Sequence, residues 1–258
     1  MRLLLSYFSL HLKIKLEYKI SFILTILALI CAVFIELYVI ESLFRKFNLL
    51  SEYNLYEISF SFSIVWVGYS LAQIFGRGFD KFDNLISNGT FDLLLIRPRN
   101  ILLQVIGSDI AYEKLGKLIA SLSILIYSSI KVITHINIFK ILLLLIIIIS
   151  TVLIFFAIYI IGSTVSFYTI QGLEILNIFT DGTKQLNQFP IDIYNKTIKV
   201  IFTYFIPITL VNYYPVKYLI GSSNNLLYTL LPLIASLIII PSLLIFKHGL
   251  KKYKSSGS

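Results

Sequence analysis

The stretch Ile141-Leu-Leu-Leu-Leu-Ile-Ile-Ile-Ile149 decides the fold class of this chain. Nine aliphatic residues follow one another without a polar residue, whereas the strands of a membrane β-barrel alternate apolar and polar residues. The run lies inside an apolar stretch at 139–168. About 20 such residues cross the hydrocarbon core of a bilayer as a helix. We therefore expect residues 139–168 to form a transmembrane helix.

Five further stretches have the length and composition of membrane helices. Ile, Leu and Phe dominate them, and they cover residues 20–44, 56–76, 106–132, 198–218 and 226–246. Over the whole chain 57% of the residues are hydrophobic and 14% are charged, compared with about 45–50% and about 25% in soluble domains. The sequence predicts an all-α integral membrane protein with six transmembrane helices, in a single domain over residues 1–258.

The basic residues predict the orientation of these helices. Seventeen of the 22 Lys and Arg residues fall on the side that holds both termini and the connections 77–105 and 169–197, when Lys114, Lys117 and Lys199 at the adjoining ends of the predicted spans are counted with those connections. The side rich in Lys and Arg faces the cytoplasm. We expect a multi-pass protein of the cell membrane with cytoplasmic N- and C-termini, and enrichment in Ile, Lys and Asn is typical of a low-GC bacterium. The net charge of +9 then reflects membrane topology, and no nucleic-acid partner is expected.

The N-terminal segment 1–19 has the pattern of an amphipathic helix. One stripe is polar, with Arg2, Ser6, Ser9, Lys13 and Glu17, and the opposite stripe contains Leu5, Phe8, Leu12 and Leu16. A helix with these two faces lies on the membrane surface, with its apolar face in the lipid. We predict an interfacial helix on the cytoplasmic side.

No catalytic or metal-binding constellation is evident in the sequence. The histidines His11, His135 and His248 fall on different sides of the predicted membrane, and Cys31 is the single cysteine. The nearest approach to a phosphate-binding P-loop, Gly116-Lys117, lacks the first glycine and the final Ser or Thr. We expect no enzymatic activity, no cofactor and no metal site in this chain.

Glu36 is an ionisable residue well inside the first predicted span. Exposing a carboxylate to lipid costs at least a few kcal/mol, so Glu36 should face protein or water. It could line a translocation pathway, or it could form a structural hydrogen bond to a neighbouring helix, and the sequence leaves both interpretations open.

The last two predicted spans combine prolines with a cluster of tyrosines. Pro207, Pro215, Pro232 and Pro241 lie within them, and Tyr213, Tyr214, Tyr218 and Tyr228 gather at their outer ends. An aromatic belt at the membrane interface would explain the tyrosines. A re-entrant or short external helix that closes the outer end of a pathway is the alternative.

Several motifs in chain order resemble those of one transporter family. Gly89-Thr-Phe-Asp-Leu-Leu-Leu-Ile-Arg-Pro98 resembles the G-x-x-D-x-L-L-x-R-P signature of ABC-2 type permeases. Phe189-Pro-Ile-Asp-Ile-Tyr194, Phe205-Ile-Pro207 with Tyr214-Pro215, and Tyr253-Lys-Ser-Ser-Gly-Ser258 resemble further elements of a six-helix ABC exporter branch. The resemblance extends over essentially the whole chain.

The resemblance implies the permease subunit of an ATP-driven exporter. Two permease chains, identical or sister, would pair in the membrane above a cytoplasmic ABC ATPase dimer, which would bind ATP and Mg²⁺. The segment 77–98 would couple ATPase closure to the membrane helices. Its expected contact residues are Phe79, Phe82, Leu85 and Ile86, an apolar face for a groove on the partner, together with Asp92, Arg97 and Pro98.

A secondary transporter or channel without an ATPase is the alternative. Such proteins commonly show inverted repeats and charges at the membrane midplane. This sequence shows no visible repeat and one deep carboxylate. It does not reveal the substrate.

Overall fold

The regular structure of the chain is helical. A computed structural model describes residues 2–47, 54–133, 137–169, 172–186 and 189–253, and these residues contain no β-strand. The α-helices are α1 Arg2–Glu17, α2 Lys19–Phe47, α3 Leu55–Asp80, α4 Phe82–Ser87, α5 Thr90–Leu95, α6 Ile101–Ser108, α7 Leu115–Val132, α8 Ile138–Val165, α9 Gly172–Leu186, α10 Lys196–Val200, α11 Ile208–Leu219, α12 Leu231–Ser236 and α13 Ile239–Lys252. His135 and the terminal motif residues 254–258 lie outside the described residues.

Five helical segments among the described residues are long and apolar enough to cross a membrane. They are Lys19–Phe44, Leu55–Ser87, Tyr112–Val132, Ile138–Val165 and Leu226–Lys252. This agrees with the predicted all-α membrane architecture and with five of its six spans. The predicted span at 198–218 is not among them.

Helix α3 is the central helix of the bundle, and α7 and α8 pack along it. Its first turn is held by a capping box, in which Asn54 accepts a hydrogen bond from the Tyr56 N–H and Glu57 accepts one from the Asn54 N–H. A Cβ added to Gly76 would lie 2.9 Å from the ring of Tyr159 on α8. Small residues allow membrane helices to approach closely, so the spacing of α3 and α8 depends on this glycine.

One end of the bundle, here called the basic end, is formed by α1, α4, α5, α6 and the last turns of α13. The predicted third span 106–132 begins later than expected, because α6 is a separate helix and the chain is extended at Asp109. Lys81 binds the Asp109 carboxylate at 2.7 Å, and the Ala111 N–H donates to the Ile74 carbonyl. These contacts fix the turn at the basic end, and the long helix starts only after it.

Helix α1 packs against the other elements at the basic end. His11 Nε2 lies 2.9 Å from the Gly107 carbonyl oxygen, the Tyr112 hydroxyl donates to the Phe8 carbonyl, and Lys15 pairs with Glu113 at 3.1 Å. The predicted N-terminal helix is therefore present. Its position at a membrane surface remains an expectation from the sequence.

The predicted fifth span at 198–218 is wrong as a single crossing. The Lys199 ammonium donates to the Asp192 carbonyl at 3.1 Å, and the Lys217 ammonium lies 3.7 Å from the Asp192 carboxylate. A straight helix would separate residues 199 and 217 by about 27 Å. The segment thus enters the bundle and returns, which favours the re-entrant alternative.

The turn-back follows from the backbone chemistry around Pro207. Proline has no N–H and cannot continue a helix from the preceding turn. Residues Ile201–Phe205 form a wide π-helical turn that ends at Ile206. The Thr209 hydroxyl donates to the Phe202 carbonyl at 2.8 Å, so a carbonyl released by the break still has a partner.

Helix α9 contradicts the expectation that the connection 169–197 stays at one end of the bundle. It packs along α8 and α3, and beyond its end Phe189 stacks on Phe44 with ring centroids 5.7 Å apart. Phe44 lies in the last turn of α2, next to the start of α3. The chain therefore passes from the basic end to the opposite end within this segment.

Candidate functional site

The residues predicted to face a partner ATPase do not all lie on the surface. Phe79 and Phe82 are 1% and 0% exposed. The ring of Phe82 lies 4.9 Å from Phe91 and 5.1 Å from Phe167, and Phe79 contacts Phe246. The expectation that Phe79 and Phe82 form a partner-facing surface is therefore wrong. They belong to an aromatic cluster that joins α3, α4, α5 and α13.

Three other predicted residues also bind within the chain. Leu85 and Ile86 are half-buried and pack on the same core. Asp92 accepts a hydrogen bond from the Tyr253 hydroxyl at 3.1 Å, which ties α5 to the end of α13. Burial and the Asp92 carboxylate raise the pKa of Tyr253, so its hydroxyl stays a donor to a more alkaline pH than a free tyrosine would.

The exposed part of the segment lies further along the chain than expected. Ile96 is 79% exposed and Leu93 is also exposed, as are Arg97, Pro98 and Arg99. We call these five residues the exposed turn. Its base is fixed by buried Gln104, whose amide donates to the Leu94 and Arg99 carbonyls at 3.1 and 3.2 Å.

Glu36 forms an ion pair with a helix that the sequence placed elsewhere. The Lys184 ammonium lies 3.6 Å from its carboxylate, and the two side chains are 12% and 28% exposed respectively. This contact connects α2 to α9 inside the bundle. It is the kind of contact expected for a structural role, while the partial exposure of Glu36 keeps the pathway-lining interpretation open.

A set of polar side chains surrounds the ring of Trp66 midway between the two ends. We call this set the inner polar cluster, and it consists of Glu36, Tyr69, Gln73, Lys117, Asp181 and Lys184.

Both lysines of the inner polar cluster lie over the face of Trp66. The Lys184 and Lys117 ammonium groups are 4.7 and 5.3 Å from the ring centroid, within the range of cation–π attraction. The Tyr69 hydroxyl donates to Asp181 at 3.2 Å and accepts from the Gln73 amide at 2.8 Å. Gln73 Oε1 in turn accepts from Lys117 at 3.1 Å. Four helices thus contribute polar groups to one place.

The sequence did not reveal this cluster. The distribution of basic residues predicts Lys117 and Lys184 on the cytoplasmic side, and hydropathy predicts Asp181 in a connection between spans. One signal was available, because Asp181 and Lys184 lie three residues apart, as neighbours on a helix surface do. Among the described residues no three His, Cys, Asp or Glu side chains meet as metal ligands would.

Comparison with protein families gives one match. The sequence model described as "ABC-2 family transporter protein" matches residues 27–257. The chain belongs to the ABC-2 transporter family. No curated protein and no solved structure matches it. As a member of this family the chain is a multi-pass membrane protein and a permease component, not itself the ATPase, and such permeases usually work with an ABC ATPase.

Two motifs that carried the resemblance to the ABC-2 family have structural explanations. Gly89 has φ 65°, a left-handed conformation that favours glycine, and it sets the turn from α4 into α5. Phe189 stacks on α2, and the Tyr194 hydroxyl donates to the Leu186 carbonyl at 3.1 Å. Burial raises the pKa of Tyr194 to about 12. Both motifs hold the chain in place after a change of direction.

Proposed function

We propose that this ABC-2 family chain is the permease subunit of an ATP-driven exporter. It forms half of a translocation pathway with a second permease chain, identical or sister, in the bacterial cell membrane. Two separate ABC ATPase subunits, which bind ATP and Mg²⁺, dock beneath it. The family match over residues 27–257 is the observation that carries this proposal.

In this proposal α9 completes the six crossings. It is the fifth in chain order, between α8 and the last long helical segment, Leu226–Lys252. Its 15 residues extend about 22 Å, and the chain beyond it reaches Phe44 at the other end of α2. Segments 1–19, 77–117 and 247–254 hold fourteen of the 22 basic residues, and segments 45–46, 131–140 and 196–217 hold seven. The basic end is therefore cytoplasmic, together with both termini.

The exposed turn is the docking element for the ATPase. Ile96 and Leu93 supply apolar area, and the flanking Arg97 and Arg99 supply charge. Beneath the turn lie the aromatic cluster and the Asp92–Tyr253 hydrogen bond. Because this support is tightly packed, a push on the turn moves α3 and α13 with it rather than deforming the loop.

The test is purification of the tagged chain from native membranes in mild detergent, followed by mass spectrometry and an ATPase assay. We expect a co-purifying ABC ATPase with ATP hydrolysis. The double substitution Ile96→Asp, Arg97→Glu should remove it without lowering the yield of folded chain. The matched control is Ile193→Asp, which changes an exposed isoleucine at the opposite end.

A wild-type chain that purifies alone, without ATP hydrolysis, would contradict the exporter proposal. It would favour an ATP-independent secondary transporter or channel. If Ile193→Asp lost the ATPase and the double variant kept it, the docking surface would lie at the end of the bundle opposite the exposed turn, which would contradict the proposed docking element.

A further inference from the structure

The inner polar cluster and the Trp66 ring that it surrounds contain hydrogen-bond donors whose capacity is not used. Trp66 is 3% exposed, and its indole N–H has no acceptor among the described residues. The Lys117 ammonium has three N–H donors and gives one to the neutral amide of Gln73. A buried donor without an acceptor destabilises the fold, because the hydrogen bond that it made to water is not replaced. The indole N–H lacks an acceptor and the ammonium has N–H donors beyond the one given to Gln73, so a molecule that pairs with both must be an acceptor.

The charges around the cluster favour an acceptor that is negative. Arg77 pairs with Asp80, Lys15 with Glu113, and Lys184 with Glu36. Lys117 and Asp181 remain in the cluster, and Lys114, three residues before Lys117 in the turn that precedes α7, adds a second cation against one carboxylate. Asp181 already accepts from Tyr69 and lies 4.0 Å from Lys184. The positive charge left over is centred on Lys114 and Lys117.

The cluster is open on the side between α2 and α9. The Asp181 side chain is 53% exposed, which a charged group facing lipid could not sustain. Water or another molecule must therefore reach this side. The neighbouring outward residues are apolar, with Ile178 and Phe179 on α9 and Ile35 on α2 exposed. An occupant that enters here passes the carboxylates of Asp181 and Glu36 before it reaches the more buried ammonium groups of Lys184 and Lys117, and apolar side chains lie along its body.

We propose that the inner polar cluster binds the anionic head, a carboxylate or phosphate, of an amphiphile. Lys117 and the Trp66 indole N–H donate to the anion, and the apolar faces of α2 and α9 hold the chain. Binding follows from the cluster alone. That the bound amphiphile is transported cargo rests on the proposed exporter function.

Trp66 makes the binding measurable, because it is the single tryptophan of the chain. The purified chain is reconstituted into phosphatidylcholine vesicles, which contain no other tryptophan, and titrated with three probes of equal chain length, below their micelle concentrations. These are dodecyl phosphate, dodecylphosphocholine and dodecyltrimethylammonium. We expect a saturable change of Trp66 fluorescence with dodecyl phosphate, and affinities at least about tenfold lower for the other two.

The substitution Lys117→Gln should weaken dodecyl phosphate binding at least about tenfold, the loss expected when a charge-assisted hydrogen bond is removed. Lys131→Gln is the matched control, because Lys131 is an exposed lysine at the other end of the same helix. Circular dichroism of both variants checks that the fold is retained. Equal responses to the three probes, or unchanged binding by Lys117→Gln, would overturn the proposal.

Two further arms identify the source of the anion. When the amphiphile is cargo, dodecyl phosphate stimulates ATP hydrolysis by the co-purified complex, and Lys117→Gln reduces that stimulation. When it is a resident lipid, native mass spectrometry finds an anionic phospholipid on the wild type, and not on Lys117→Gln, without stimulation. If the chain binds dodecyl phosphate but has no ATPase partner, the anion site is supported and the exporter proposal is contradicted.

Discussion

Phe82 lies at the centre of the aromatic cluster, between Phe91, Phe167 and Phe246. Because it is fully buried, Phe82→Ala leaves a cavity that its neighbours fill only in part, and removal of a buried phenylalanine costs about 3–5 kcal/mol. We predict a lower thermal unfolding temperature in detergent, measured by fluorescence-detected size exclusion after heating.

The matched control for Phe82→Ala is Leu93→Ala, because Leu93 is exposed on the same segment. Its unfolding temperature should be close to that of the wild type. A Phe82→Ala chain with wild-type stability but without its ATPase partner would show that Phe82 faces the partner, as the sequence suggested.

The sequence could predict that residues 79–86 form an apolar helical segment, but not what this segment contacts. The side chain of Phe82 is covered by Phe91, Phe167 and Phe246, and Phe246 lies 164 positions from Phe82 in the chain. The sequence pattern of an apolar face is the same whether the face binds a partner or packs on another part of the molecule. The partner of Glu36 was hidden for the same reason, since Lys184 is 148 positions away.

At the scale of elements, hydropathy identified the five long helices. It gave the wrong course for two segments between the fourth and the fifth of them, which are α9 and residues 198–218. Helix α9 carries Asp181 and Lys184, and these charges made it resemble a loop. They are accommodated because they pair with Tyr69 and Glu36 inside the bundle. Residues 198–218 are apolar enough for a span, yet Pro207 breaks the helix and the chain turns back. A count of apolar residues shows neither that a charged side chain has a partner inside the bundle nor that a chain reverses its direction.

The course of α9 predicts a specific cross-link. With Cys31 changed to Ser, the pair Phe44→Cys and Phe189→Cys should form a disulfide on oxidation with copper phenanthroline, because the two rings stack at 5.7 Å. A shift in mobility on a non-reducing gel reports the bond.

The control pair for this cross-link is Phe44→Cys with Ile96→Cys, which lie at opposite ends of the bundle and should not react. If residues 169–197 stayed in the cytoplasm, the pair at 44 and 189 would also remain reduced. That result would contradict the path of α9.

At the scale of the whole molecule, the fold and the family were predictable and the topology was predictable in part. The run 141–149 and its five counterparts established a helical membrane protein, and the ordered motifs indicated the ABC-2 family that the match at 27–257 shows. An even number of crossings is kept when α9 replaces 198–218. The residues that follow α9, 189–197, nevertheless move from the cytoplasmic to the outer side in our proposal.

The outer position of the residues that follow α9 can be tested in intact cells. In the Cys31→Ser background, Ile193→Cys should react with a membrane-impermeant maleimide added outside, because residue 193 follows α9 at the outer end. Ile96→Cys should react only after the membrane is permeabilised. Labelling of residue 193 solely in permeabilised cells would restore the original topology, with 169–197 inside.

The most direct test of the permease assignment is a photo-crosslink from the exposed turn. A photoreactive amino acid replaces Ile96 in native membranes, and the adducts formed on illumination are identified by mass spectrometry. The account predicts an adduct with an ABC ATPase subunit from position 96 and none from position 193. A folded chain that gives no ATPase adduct from position 96, or gives one from position 193, would contradict it.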